Sequence, residues 1–183
     1  MLRKLKRMLW DIANGEHVRS LIGRDGLFWI FSMEALPRIK LFRNIDNLIL
    51  KLSDNEIHNF RPWRFDGYRW ISFSDYYYFG DQPQKNILQN NIACYISSSV
   101  ETYAQDLKLI LNIYHHAEKL NAVNTFTRLA LKTFSILDLI PPQNLLTSIA
   151  TGVEHEYEND IHFTRIKVVE AHVPSWRVVI ESK

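Results

Sequence analysis

The sequence predicts an α+β domain: an antiparallel sheet of about five or six strands with helices packed mainly on one face. Three observations point to it. Two segments in the middle of the chain, "NIACYIS" and "DLKLILNIY", alternate apolar and polar residues as half-buried strands do. The segment that follows them, about 117–137, repeats its apolar residues at spacings of three and four. The C-terminal stretch "VEHEYENDIHFTRIKVVEAHVPSWRVVI" alternates again around a short polar turn.

Taken in order, residues 2–13 predict an amphipathic helix, with Leu2, Leu5, Leu9 and Ile12 on one side. The whole chain of 183 residues suits one domain, in which residues 1–14 form a peripheral N-terminal helix. Gly23, Gly26 and Pro37 punctuate the next stretch, and its apolar run 27–32 suits either a strand or a buried helix. A helix over 45–59 is expected, with Asn44 as its cap and Ile45, Leu48, Ile49, Leu52 and Ile57 as its inner face. A strand from Tyr68 to Phe73 and a turn-rich loop "GDQPQKN" follow.

In the two alternating segments Ile92, Cys94 and Ile96 share one face, as do Leu107, Leu109, Leu111 and Ile113, joined as a hairpin through 98–105. In the helix at 117–137 the inner face is Leu120, Val123, Phe126, Ala130, Phe134 and Leu137. "IPPQNLLTSIATG" reads as a short helix with proline at its start and Gly152 at its end. A meander then joins Val153–Tyr157 to Ile161–Val169 through Glu158-Asn159-Asp160, which places His155 opposite Phe163 and Tyr157 opposite Ile161. It ends on Trp176, Val178 and Ile180.

Composition narrows the function. The chain is 46% hydrophobic and 23% charged, which excludes a disordered protein. The single cysteine, Cys94, leaves no internal disulfide and fits a reducing compartment. The start "MLRKLKRMLWDIANG" interleaves charge with leucine, so neither a signal peptide nor a membrane span is expected, and the location expected is cytoplasmic. Residues 1–70 hold 13 Lys and Arg against 8 Asp and Glu, and the remainder 9 against 12. That bias is too small for a dedicated nucleic-acid binder.

Neighbouring His115 and His116 diverge on a strand, and His155 and His162 point through opposite faces in the expected register, so no metal site is expected. Glu154, Glu156 and Glu158 fall on one face of a strand, about 7 Å from one to the next. Such a row suits a solvated face, a metal-dependent hydrolase or nuclease, or an acidic stripe for a basic partner. The solvated face is the commoner case. The letters "ESK" at 181–183 match a nuclease strand signature only at the frayed chain end. Phosphate-binding glycine loops and nucleophile elbows are absent from the sequence, and Cys94 sits in an apolar pattern.

The segment "FRPWRFDGYRWISFSDYYYF", residues 60–79, is half aromatic. Arg61, Arg64 and Arg69 suit a nucleic-acid regulator, but Asp66, Asp75 and Asp81 oppose phosphate contact. Trp63, Phe65, Trp70 and Phe73 are expected mainly in the core. Tyr76, Tyr77 and Tyr78, with Asp75 and Asp81, are expected on a docking face, since Tyr, Trp and Arg are the residues of binding hot spots.

In layout the second half resembles bacterial toxin-immunity proteins of the contact-dependent and polymorphic-toxin systems. The resemblance runs over "LKLILNIYHH", "AEKLNAVNTFTRLALKTF", "PPQNLLTSIATG", "EHEYENDIHFTRIKV" and "SWRVVIE". It implies a non-enzymatic protein without a cofactor that blocks a cognate toxin domain by binding it. The docking candidates are then the tyrosine segment and, for a basic toxin domain, the Glu154, Glu156 and Glu158 stripe. Purified protein is accordingly expected to carry no stoichiometric zinc or manganese in elemental analysis. A bound metal lost in Glu156→Ala would move the assignment to the hydrolase.

Overall fold

The computed structural model describes residues 21–22, 28–29, 35–54, 56–79 and 88–183. The chain divides into two units, Met1–Leu36 and Pro37–Lys183. In the first, strands β1 (Leu21–Ile22) and β2 (Phe28–Trp29) pair antiparallel. The helix expected over 2–13, the remainder of the apolar run at 27–32 and the loop at 80–86 lie outside the described residues.

The second unit is built on an eight-stranded antiparallel sheet. In chain order its strands are β3 (Arg64–Phe65), β4 (Trp70–Phe73), β5 (Tyr77–Tyr78), β6 (Asn91–Ser98), β7 (Asp106–Asn112), β8 (His155–Glu158), β9 (His162–Val169) and β10 (Ser175–Ser182). In space the order is β3-β4-β6-β7-β10-β9-β8, and β5 also pairs with β6. The count exceeds the expected five or six because β3 and β5 are strands of two residues each.

Alternation fixes which side of the sheet is buried. Cys94 lies opposite Leu109, Leu109 opposite Val178, and Val178 opposite Ile166, so one buried row crosses four strands. Rows built the same way on Ile96, Leu107 and Ile180, and on Ile92, Leu111 and Trp176, flank it. All these residues belong to one core cluster, shared with the helices. Full burial of each aliphatic side chain is worth about 1.5–3 kcal/mol, so these rows hold the fold.

Three α-helices among the described residues cover this side. Helix α1 (Ile45–Ser53) starts where Asn44 accepts a bond from the Asn47 amide at 2.9 Å, and buries Leu48 and Leu52. It ends short of the expected residue 59 because Glu56 and Asn59 take left-handed backbone angles, φ 75° and 56°. Ile57 still reaches the core, from a loop. The Glu56 carboxylate ties that loop to the next helix through Arg128 at 2.7 Å and Lys132 at 3.0 Å.

Helix α2 (Lys119–Ile136) buries Val123, Phe126, Ala130 and Phe134 as its spacing predicts, and Leu137 caps it, also buried. Leu120 is a correction, being 75% exposed. At 100° per residue it falls to the side of the arc centred on Phe126. Helix α3 (Leu145–Thr151) ends at Gly152 in the left-handed conformation, φ 71°. Trp176 lies under that cap and donates its indole N–H to the Ile149 carbonyl at 3.1 Å.

The β8–β9 register is a second correction. His155 pairs with Ile166 and Tyr157 with Thr164, not with Phe163 and Ile161. The cause is the turn. Asn159 accepts from the amides of both Ile161 and His162, at 2.8 and 2.9 Å, and its own N–H bonds to the His162 carbonyl. The turn is therefore one closed by Asn159 and His162. The odd shift in register moves His155 to the face that carries His162.

Phe126→Ala should cost about 3–5 kcal/mol in chemical denaturation, because the residue is wholly buried between α2 and the sheet. Glu56→Gln should cost about 1 kcal/mol, a modest figure because over a third of the side chain is in water. Arg128 first, then Lys132, holds the Glu56 pKa down from 4.5 to about 2. The wild-type contribution is thus complete above pH 4.5 and lost as pH falls toward 2, and acid titration of the variant should lack that loss.

Candidate docking face

The residues that alternate with the core rows point to the opposite side of the sheet. No helix among the described residues packs there: α2 lies against β7 and α3 against β9 from the core side. On this open side Phe73 stands opposite Tyr95, Tyr95 opposite Lys108, Lys108 opposite Val179, and Val179 opposite Arg165.

The tyrosine segment divides between the two sides. Tyr76 and Tyr78 are 50% and 55% exposed and meet edge to face at 6.0 Å. Tyr78 pairs with Asn91, which places it on the open side. Next to them Phe73 and Tyr95 lie 5.9 Å apart. Burial, and then the neighbouring Tyr76, push the Tyr95 pKa above its ordinary value. Tyr77 points the other way and packs half-buried against the core beside Phe79. Asp75 is held by Arg61 at 3.0 Å, and Asp81 lies outside the described residues.

Of the four aromatic residues expected mainly in the core none is fully buried, although Trp63 packs against it. Phe65 is 54% exposed, and Trp63, Trp70 and Phe73 are half-buried. Trp63 stacks on Trp70 at 6.4 Å and Phe65 leans on Trp70 at 6.0 Å. They sit on the β3–β4 edge of the sheet, away from the strands that α2 and α3 cover. Tyr68, expected to begin the strand, is 94% exposed in a turn. There Asp66 accepts from the Tyr68 and Arg69 amides, and Gly67 takes φ 105°.

Glu156 and Glu158 share a face, as alternation requires, but their charge is engaged. Glu156 pairs with Arg165 at 2.9 Å and Glu158 with Lys183 at 2.6 Å. Arg165 also lies 3.9 Å from Glu181. Glu154 precedes β8 and is exposed. Among the described residues no three His, Cys, Asp or Glu side chains come together to hold a metal ion. Cys94 is wholly buried, and that burial pushes its thiol pKa far up. His115 and His116 follow the end of β7 rather than lying on it.

His162 is buried between the rings of Phe134 and Tyr157, at 6.2 and 5.8 Å, and neither ring nitrogen has a hydrogen-bond partner among the described residues. The open-side residues Tyr95, Lys167 and Arg177 were not singled out from the sequence, whereas alternation in "DLKLILNIY" sets Lys108 opposite the core leucines. Their signal was present in strand parity, which assigns each to the side opposite the core rows.

No helix among the described residues is long and apolar enough to cross a membrane. Comparison with known proteins yields no match: no family model fits the chain, and no curated protein or solved structure is significantly similar to it.

His162 predicts a pH effect. Burial first, then the Lys183 charge, lowers its pKa below the ordinary 6.5. Below pH 6.5 the unfolded chain therefore binds this proton before the folded one, so stability should decline as pH falls from there. Glu56, at about 2, stays ionised in that range. Thermal unfolding between about pH 7.5 and 5.5 should show the decline, and His162→Phe should remove this residue's share of it.

Proposed function

We propose that the protein is a non-enzymatic binding protein, and specifically an immunity protein that neutralises a cognate bacterial toxin by direct contact in the cytoplasm. The observation that carries the reading is the open side of the sheet, where Tyr76 and Tyr78 stand exposed beside Phe73 and Tyr95. Exposed aromatic rings on a stiff sheet can bury a large area at little entropic cost, and such rings dominate binding hot spots. The glutamate row supports a hydrolase less well, because Glu156 and Glu158 each answer a separate cation. It also supports acidic docking less well than its sequence suggests, for the same reason.

The test uses the purified product of the adjacent gene as probe. Tyr76→Ala or Tyr78→Ala should cost about 2 kcal/mol or more of affinity with the melting temperature unchanged. Trp70→Ala should lower the melting temperature instead, since Trp63 and Phe65 both lean on that ring. If both tyrosine variants bind normally, the docking reading of this segment is wrong.

A further inference from the structure

The open side carries a charge pattern that the fold does not use. Arg177 on β10 stands directly opposite Lys167 on β9, and on its other flank faces Ile110. Side chains paired in this way lie about 4.5–5.5 Å apart at Cβ, and like charges so placed repel. Two residues further along β10, Val179 is flanked by Lys108 and Arg165. Arg177 therefore has one cation across from it and two on its diagonals.

Four acidic residues of this side are engaged, Glu158 with Lys183 among them, and Glu154, just before β8, is exposed with no ion pair among the described residues. Asp106 takes Lys108 at 3.3 Å, Arg69 at 3.7 Å and the Ser97 hydroxyl at 2.6 Å. Glu156 and Glu181 both answer Arg165. Arg177 and Lys167 have no ion-pair or hydrogen-bond partner among the described residues. The unspent charge that β9 and β10 carry on the open side is thus positive, whereas an acidic stripe was one of three readings of the glutamate row.

We propose that Arg177 and Lys167 form the polar anchor of the docking face and receive an acidic side chain or cluster from the partner protein, while Tyr76 and Tyr78 supply the apolar contact. This rests on the binding reading above and adds the sign of the partner's charge. Removing the Arg177–Lys167 repulsion on binding gives an acidic partner an advantage that a neutral one lacks. A nucleic acid fits less well, because Asp106, Glu156, Glu158 and Glu181 lie on the same side of the sheet, toward the Ser182 end of β10, and oppose a run of phosphates along it.

The experiment pairs stability with binding. In Arg177→Glu the new carboxylate stands among Lys167, Lys108 and Arg165, so the melting temperature should rise. The same variant, and Lys167→Glu, should bind the adjacent gene product at least tenfold more weakly. Wild-type affinity should fall as salt is raised from about 0.05 to 0.5 M.

A lower melting temperature in Arg177→Glu would show that Arg177 serves the fold, and would overturn the proposal. Unchanged affinity in both charge reversals, with affinity still lost in Tyr76→Ala, would overturn it while leaving the binding reading intact. If wild-type protein does not bind that product at all, both fall. Binding of an oligothymidylate that is lost in Arg177→Glu would also overturn it, and assign the face to nucleic acid.

Discussion

The cross-strand row Cys94, Leu109, Val178 and Ile166 is the contact on which the rest of the structure depends. It joins four strands drawn from distant parts of the chain, and every member is buried. A strand has only two faces. Once this row points at α2 and α3, every intervening residue of β6, β7, β9 and β10 must point the other way. The open side is therefore a consequence of the core, and nothing in its own composition had to specify it.

That coupling sets what each side can do. On the core side the Ser74 hydroxyl accepts from the Cys94 amide, whereas the His162 ring and the Thr164 hydroxyl have no hydrogen-bond partner among the described residues. The open side keeps Lys108, Arg165, Lys167 and Arg177 in register on three adjacent strands. A slip of one residue in any of them would bury these cations at a cost of several kcal/mol each, so the register is pinned from both sides. A fixed charge pattern follows from the same alternation that builds the core.

Local order was legible in the sequence and spatial neighbourhood was not. The alternation of "NIACYIS" and "DLKLILNIY" yields β6 and β7, the spacing from Val123 to Phe134 yields α2, and Asn44 and Gly152 mark helix ends, all through interactions within a few residues. The β8–β9 register was missed because one side chain, Asn159, closes the turn differently from the turn expected. Phe65 and Trp70 were misplaced because an aromatic residue has the same pattern under a helix as at an uncovered edge. The pairing of Glu156 with Arg165, and the isolation of Arg177, depend on which strands become neighbours.

The glutamates of β8 acquire a different meaning in that setting. β8 is the last strand of the sheet, and its outer edge has no pairing partner among the described residues. An open edge is a template for pairing with another chain, and charged side chains are one way proteins prevent it. Glu156 and Glu158 place carboxylates along that edge, while Arg165 and Lys183 anchor them to the strands behind. At the other end of the sheet β3 is only two residues long and follows Pro62, which limits pairing by a different route. Both edges are thus blunted and one face is filled by helices, and the opposite face is the one that no helix among the described residues covers.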